Sequence, residues 1–264
     1  MHTWHWHQWQ ELPYLKCSLL ESWPHGFFSR HFSPRTPAEL VEVLEPNAAA
    51  YRVKQVHGNL VLGTAQVRPL PASDSADSAE LLEADALLTQ HPQEAVWVAS
   101  ADCVPVLIAD TQTGNVAAIH AGWRGTASKI LPQAIAEFQA QGSQLINLRI
   151  AMGPAISGEV YQVSSEVALQ LGTTILPQAT TSLEDVLAAL FDLAQSPVLP
   201  DSEPDKVRVD VRRVNALQLE QLGISPQQVA ISPDCTYKQP QSFFSYRRDS
   251  LKKVQWSGIV SVPS

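Results

Sequence analysis

The chain has 264 residues, 45% of them apolar and 17% charged, and a formal net charge of -8. That length suits one large domain with a full core, and the composition excludes a disordered chain. The acidic balance disfavours non-specific nucleic-acid binding, and no apolar run approaches the ~18 residues that a membrane span needs. The acidic balance still admits an anionic small substrate, because a few arginines can make a local positive pocket.

The chain opens with MHTWHWHQWQ, which lacks the basic and then apolar regions of a secretory leader. Its alternating Trp4, Trp6 and Trp9 suit an edge strand with tryptophans turned inward, and His2, His5 and His7 are adventitious ligands for copper or nickel. Two apolar stretches follow, Tyr14–Leu20 and Gly26–Phe32, and Ser22–His25 between them reads as a turn. A strand pair is predicted. A short helix is predicted over Pro37–Leu44. Six strand-like segments come next: Tyr51–Val56, Leu60–Ala65, Ala84–Leu88, Ala95–Ser100, Val104–Asp110 and Asn115–His120. Pro71–Glu80, rich in Ser, Asp and Ala, reads as a surface loop.

Apolar residues at helical spacing predict a helix over Thr126–Gln141, with Gly142 at its end; Pro132 is tolerable there only in a first turn. Leu148–Met152 and Glu159–Val163 read as strands, and Ser164–Leu171 as a helix. Residues 173–206 read as an insertion carrying a helix over Ser182–Leu193. Val207–Val211 is strand-like, Asn215–Leu222 helical, and Val229–Ser232 extended. The last recognisable unit is Ser242–Arg248. Strands and helices mix without a strict βαβ rhythm, so an α+β, layered mixed-sheet fold is expected over a doubly wound one, as a single domain across 1–264.

Three cysteines, Cys17, Cys103 and Cys235, are too few and too odd in number for a disulfide framework. They fit a reducing cytosol, and a cytoplasmic location is expected. Three segments carry chemistry: KQVHG ending near His57, SADCVPV around Cys103, and AIHAGWRG around His120. In each, an apolar run delivers one borderline-soft ligand near a glycine or proline, and strand ends are where a scaffold aims side chains into a shared pocket. A catalytic zinc takes three such ligands and keeps a fourth position open. No CxxC or HExxH spacing binds them together. The same residues read equally as a buried cysteine and two hydrogen-bonded histidines.

The segments QVHG, ADALLT, SADCVPVLIAD, AIHAGWRG, MGPAISGEVYQV and CTYKQPQSFFSYRRD resemble the YfiH-type family, also called the laccase-domain or polyphenol-oxidase-like family. They run in the family's order from about residue 25 to about residue 249. The resemblance implies a layered α/β/β/α arrangement and zinc held by His57, Cys103 and His120, with copper possible in vitro. It implies phosphorolysis of purine nucleosides, deamination of adenosine and cleavage of methylthioadenosine, with purine nucleosides and phosphate as partners.

That chemistry needs an anion site and a proton-transfer group. Arg30, Arg247 and Arg124 are the candidates for phosphate, because a guanidinium fork donates two hydrogen bonds. Asp102 and Asp85 are the candidates for proton transfer, and Asp102 can equally orient the neighbouring ligand. Cys235 reads as a structural thiol and Cys17 as core. Three other readings stay open: a copper-dependent polyphenol oxidase, a Cys/His or zinc amide hydrolase acting on peptidoglycan precursors through Cys103 and His120, and a zinc-stabilised binding module.

Overall fold

The computed structural model describes residues 2–71, 81–177 and 182–263. Strands β1 (Trp4–Trp9) and β2 (Leu12–Cys17) form an antiparallel hairpin with Trp4 opposite Cys17. Gln10 and Glu11 close it, both at positive φ, as a two-residue hairpin turn requires. β3 (His25–Phe28) pairs with β2, so the expected strand pair is present and the Trp-rich start extends it as an edge strand. Trp4 packs on Phe27 and Trp9 near Phe32, whereas Trp6 remains 45% exposed. His25 is a satisfied core residue. Its Nε2 accepts from the Cys17 amide and its Nδ1 donates to the Trp23 carbonyl, and burial pushes its pKa down to about 4.

Helix α1 (Pro37–Leu44) starts with a Thr36–Glu39 capping box and Pro37 at the first helical position. There follow β4 (Ala49–Tyr51), β5 (Val61–Gly63), β6 (Ala86–Leu88), β7 (Glu94–Ser100), β8 (Val104–Asp110) and β9 (Val116–Ala121). The loop expected over Pro71–Glu80 lies, beyond Pro71, outside the described residues. The helix expected over Thr126–Gln141 is two helices, α2 (Trp123–Ala127) and α3 (Ile130–Ala140). Pro132 is the cause. It offers no N–H to the Ser128 carbonyl and its ring would strike it. Lys129 turns the chain at a φ of 61, and α3 restarts with Pro132 inside its first turn.

The chain continues through β10 (Leu148–Met152), β11 (Gln162–Ser164), α4 (Ser165–Gly172), α5 (Leu183–Phe191), β12 (Val198–Pro200) and β13 (Lys206–Val209). Ser182 caps α5 through the Asp185 amide, β12 pairs with β13 and β13 with β11, and Val186, Leu190 and Val198 enter the core beside Ala168 and Leu171, so the 182–206 segment is stitched into the body. Helix α6 (Val211–Gln221) begins four residues before the expected Asn215, because the Asp210 carboxylate accepts from the Arg212 and Arg213 amides. β14 (Val229–Ile231), α7 (Tyr246–Asp249) and β15 (Gln255–Val260) complete the chain. β15 was not foreseen, since Gly258 breaks its pattern. The gap left by that glycine is filled by the Trp97 ring.

Two six-stranded sheets result, ordered β1-β2-β3-β15-β7-β4 and β14-β10-β8-β9-β6-β5, with a small third sheet β11-β13-β12. Leu15, Phe27, Val96 and Val98 of the first sheet meet Leu107, Ala109, Val116 and Ala118 of the second in one core. Val106, Ile108 and Ile119 on the far face of the second sheet pack against Ile130, Ile135 and Phe138 of α3 and Leu219 of α6. Phe28, Trp97 and Val260 on the far face of the first pack against Leu40 of α1. The layers therefore run α/β/β/α, as the resemblance implied. No helix among the described residues is long and apolar enough to cross a membrane.

Candidate metal centre

Cys103 lies in the short arch that carries the chain from β7 in the first sheet to β8 in the second. The arch is tight, and Asp102 within it takes a φ of 93, a region that side-chain-bearing residues seldom occupy. His120 is the penultimate residue of β9. The β8–β9 ladder sets Val104 opposite Ala121 and Pro105 opposite His120, which brings Cys103 beside Gly122. A Cβ on Gly122 would stand 2.8 Å from Cys103 Sγ and 3.5 Å from His57 Cδ2. Glycine at this position leaves the room in which the three side chains meet.

His57 comes from the loop between β4 and β5. The strand expected over Tyr51–Val56 ends at Tyr51; Lys54 then makes an isolated bridge with Glu83, and the amides that follow Gln55 go to the Asp85 carboxylate. It accepts from Val56 at 3.2 Å, from His57 at 2.9 Å and from Gly58 at 2.6 Å. His57 itself turns through a φ of 62. Asp85 precedes β6, the neighbour of β9, so it also reaches across the ladder. His120 Nδ1–H donates to Asp85 Oδ1 at 2.9 Å, and the His120 amide donates to the Asp85 carbonyl at 2.8 Å.

The ligand atoms of His57, Cys103 and His120 all lie within 4.8 Å of one another. Ligands on a tetrahedral zinc, with Zn–S near 2.3 Å and Zn–N near 2.0 Å, stand roughly 3.5 Å apart. Small side-chain rotations would close the set around an ion. His120 Nε2 is the free ring nitrogen, because Nδ1 is committed to a buried carboxylate, the usual arrangement of a metal-binding imidazole. His120 is buried, Cys103 partly so and His57 exposed, so the cluster opens to solvent on the His57 side.

The electrostatics suit a cation. Burial alone would raise the Cys103 thiol, but hydrogen bonds from His120 and His57 outweigh it and bring its pKa to about 6. Burial alone would lower His120, but Asp85 and the Cys103 thiolate bring it to about 9. Burial likewise opposes the charge on Asp85, and the hydrogen bonds from His120, Gly58 and His57 hold its carboxyl below the usual range. The thiolate is the metal-ligating form of cysteine.

The other residues expected at the site divide into two groups. Both oxygens of Asp102 are engaged, Oδ1 by the Thr236 hydroxyl at 2.7 Å and Oδ2 by the Arg247 amide at 2.7 Å. The Arg247 guanidinium lies 4.7 Å from the centre of the Tyr161 ring and donates to the Gln162 carbonyl at 2.7 Å. Arg124 is exposed and stacks 4.4 Å over Trp123, three residues beyond His120. Arg30 donates to the Pro240 carbonyl at 2.6 Å and stacks on Phe244, both in the C-terminal block. Arg248 does the same through the Thr236, Tyr237 and Phe243 carbonyls. Cys235 is buried and its sulfur accepts from the Ser157 amide, while burial pushes the Cys17 thiol up to about 11.

Tyr161 was missed at the sequence level. Burial first, and then the charge of Cys103, pushes its hydroxyl up to about 12, with Arg247 and Arg124 opposing. It is therefore a neutral platform set among the thiolate and two arginines. Its position inside the MGPAISGEVYQV block was the available signal.

A family model described as "Multi-copper polyphenol oxidoreductase laccase" matches residues 36–260. A purine nucleoside phosphorylase of Synechocystis sp. is 49% identical over 260 residues, 98% of this chain and 97% of that protein. An adenosine deaminase of an unknown prokaryotic organism is 32% identical over 164 residues, 62% of this chain and 56% of that one. The crystal structure of YlmD from Geobacillus stearothermophilus shares the fold with a TM-score of 0.79 at 23% identity, covering 98% of this chain and 99% of that one.

Proposed function

This chain belongs to the multi-copper polyphenol oxidoreductase laccase family, and from that premise we propose that it is a zinc-dependent purine nucleoside phosphorylase that also deaminates adenosine and phosphorolyses methylthioadenosine. The observation that carries the reading is the convergence of His57, Cys103 and His120 within 4.8 Å beside an arginine held ready for an anion. The 49% identical relative is named for the same phosphorolytic activity, and a more distant one for deamination.

His57, Cys103 and His120 would hold the ion, with Asp85 fixing the His120 ring and the His57 loop. Bound there, a zinc ion supplies Lewis acidity, polarising a substrate oxygen or lowering the pKa of a water molecule to about 7. In phosphorolysis a phosphate oxygen bonds to the ribose C1′ as the bond from C1′ to the purine nitrogen breaks, and the purine leaves with a proton. The protein's part is to place that phosphate, and Arg247, stacked on Tyr161, and the exposed Arg124, whose charge also acts on Tyr161, are the guanidinium groups for it. In deamination, water adds at C6 of adenine and ammonia leaves, with no anion needed. Asp102 and Asp85 were expected to move protons. Their oxygens are occupied by hydrogen bonds to the protein, and we assign both to positioning.

The test is metal analysis and turnover on protein purified without a metal-affinity tag, as wild type and Cys103→Ser. About one zinc per chain is expected, lost in the variant together with phosphate-dependent release of base from adenosine. Inosine formed without phosphate would report deamination. Turnover indifferent to Cys103, or full activity in metal-free protein, would overturn the zinc reading. One observation favours a second reading: Cys103 and His120 are hydrogen-bonded partners whose mutual attraction lowers the thiol and raises the imidazole, the direction a cysteine nucleophile requires. An amide hydrolase of that kind, acting on peptidoglycan precursors, would gain activity on metal removal.

A further inference from the structure

We infer that Asp102 is a positioning residue that clamps Arg247 to the Cys103 turn and thereby sets the Arg247 guanidinium as the phosphate-binding arm of the site. The inference rests on the phosphorylase reading for its choice of anion.

Asp102 is 8% exposed and ties three distant segments to the turn that delivers Cys103. Its carbonyl accepts from the Ile156 amide at 3.0 Å. Its carboxylate accepts from the Thr236 hydroxyl and from the Arg247 amide, each at 2.7 Å. Short bonds of this kind to an ionised acceptor are stronger than neutral ones. The backbone there is held at a φ of 93, which a non-glycine residue adopts only when its surroundings over-determine it. Asparagine and aspartate tolerate positive φ better than most residues, but a carboxylate alone can accept from both partners at once.

The clamp acts on the main chain of Arg247 and leaves its side chain free to bind. The guanidinium rests on the Tyr161 ring and makes one hydrogen bond among the described residues, to the Gln162 carbonyl. Its remaining N–H groups are open to a ligand. Gln162 is in turn held by Asp201, which also pairs with Arg208, so the support continues into the 182–206 segment. Arg208, Arg212, Arg213 and Arg248 each spend two or more donors on carbonyls or carboxylates of the protein. Arg30 shares with Arg247 a bonded main-chain amide, a stacked guanidinium plane and a single carbonyl bond. Arg247 adds to these features a main-chain bond to Asp102, the residue beside Cys103. That combination suits a planar fork receiving two oxygens of a phosphate dianion. In a chain of net charge -8 such an anion needs a local cation of this sort.

The test is calorimetric titration of inorganic phosphate into zinc-loaded protein, with zinc content and thermal midpoint measured on the same samples. Asp102→Asn keeps an acceptor for Thr236 and turns an NH2 group toward the Arg247 amide. It is expected to weaken phosphate binding about tenfold while zinc content and folding stay at wild-type values. In turnover, phosphate KM should rise by the same factor with kcat changing less than about threefold. Thr236→Val, which removes one of the two clamping donors, should weaken phosphate by about threefold and serves if Asp102→Asn does not fold. The inference is overturned if the wild type binds no phosphate, or if both variants bind it as the wild type does. It is also overturned if Asp102→Asn loses kcat for phosphorolysis and deamination alike at unchanged phosphate affinity, which would make Asp102 a catalytic group. Wild-type protein that binds phosphate in an Asp102-dependent way but releases no base from nucleosides would refute the phosphorylase reading and leave the clamp standing.

Discussion

Replacing Asp85 by asparagine should weaken metal binding at the centre while leaving the fold. Asp85 is fully buried and accepts four hydrogen bonds, from the amides of Val56, His57 and Gly58 and from His120 Nδ1. Asparagine keeps one acceptor oxygen and turns two N–H groups toward donors. At least one buried donor then goes unpaired, at about 1–3 kcal/mol. Substitutions of the groups that orient metal-binding histidines typically lower metal affinity about 10- to 100-fold, which is the same range of energy. The expected result is a zinc affinity lower by that factor, read by competition with a chromophoric chelator, with an unchanged circular-dichroism spectrum. An affinity within about twofold of wild type would refute the argument that Asp85 fixes both the His57 loop and the His120 ring.

Two further outcomes follow from the same geometry. Gly122 sits at a φ of -72, which alanine can adopt, so Gly122→Ala should fold normally, yet its methyl would meet Cys103 Sγ at 2.8 Å; metal analysis should show zinc lost by about tenfold or more in affinity, and full loading would show that the cluster tolerates the methyl. In metal-stripped protein the thiolate contribution of Cys103 grows as pH rises above about 6, and the imidazolium contribution of His120 is lost as pH rises toward about 9, so the two offset. Cys103→Ser removes the first contribution and leaves of the second only the part that Asp85 supplies, so its urea midpoints should fall as pH rises above 6.5 while those of the wild type change less, and parallel curves would count against the ion pair.

Much of this was legible because local chemistry and global fold agree. Thr36-Pro37 and Glu39 announce α1, and the β-branched runs Val104–Asp110 and Leu148–Met152 are strands with the expected bounds. The failures have physical causes. The apolar residues before His57 suggest a strand up to Val56, but the chain there is a loop whose amides at Val56, His57 and Gly58 are held by a carboxylate 28 positions beyond His57. Pro132 was admitted to a long helix that it interrupts. β15 was hidden by Gly258, whose missing side chain is filled by Trp97 from the neighbouring strand. Within the site, residue type and family blocks single out the three side chains that the fold brings together, His57, Cys103 and His120. The duties of Asp85 and Asp102 were not, since a carboxylate that moves protons and one that holds main chain look alike in a sequence.

The family's description speaks of several coppers and phenol oxidation, and the donor groups of this chain bear on that. Oxidation of that kind needs a place for more than one copper. Among the described residues, one group of three or more His, Cys, Asp or Glu side chains is close enough to hold an ion. The N-terminal histidines do not supply another. His2 is bonded to the Gln227 carbonyl, His5 to the Thr3 hydroxyl, and His7 packs by Tyr14. A cysteine–histidine–histidine set with one imidazole braced by a buried carboxylate fits the ligand types of a catalytic zinc. The same set would also take copper, because divalent copper outranks zinc for nitrogen and sulfur donors generally. A copper-loaded preparation would thus report the affinity order of the ligands, and only products formed from adenosine with and without phosphate distinguish the reaction.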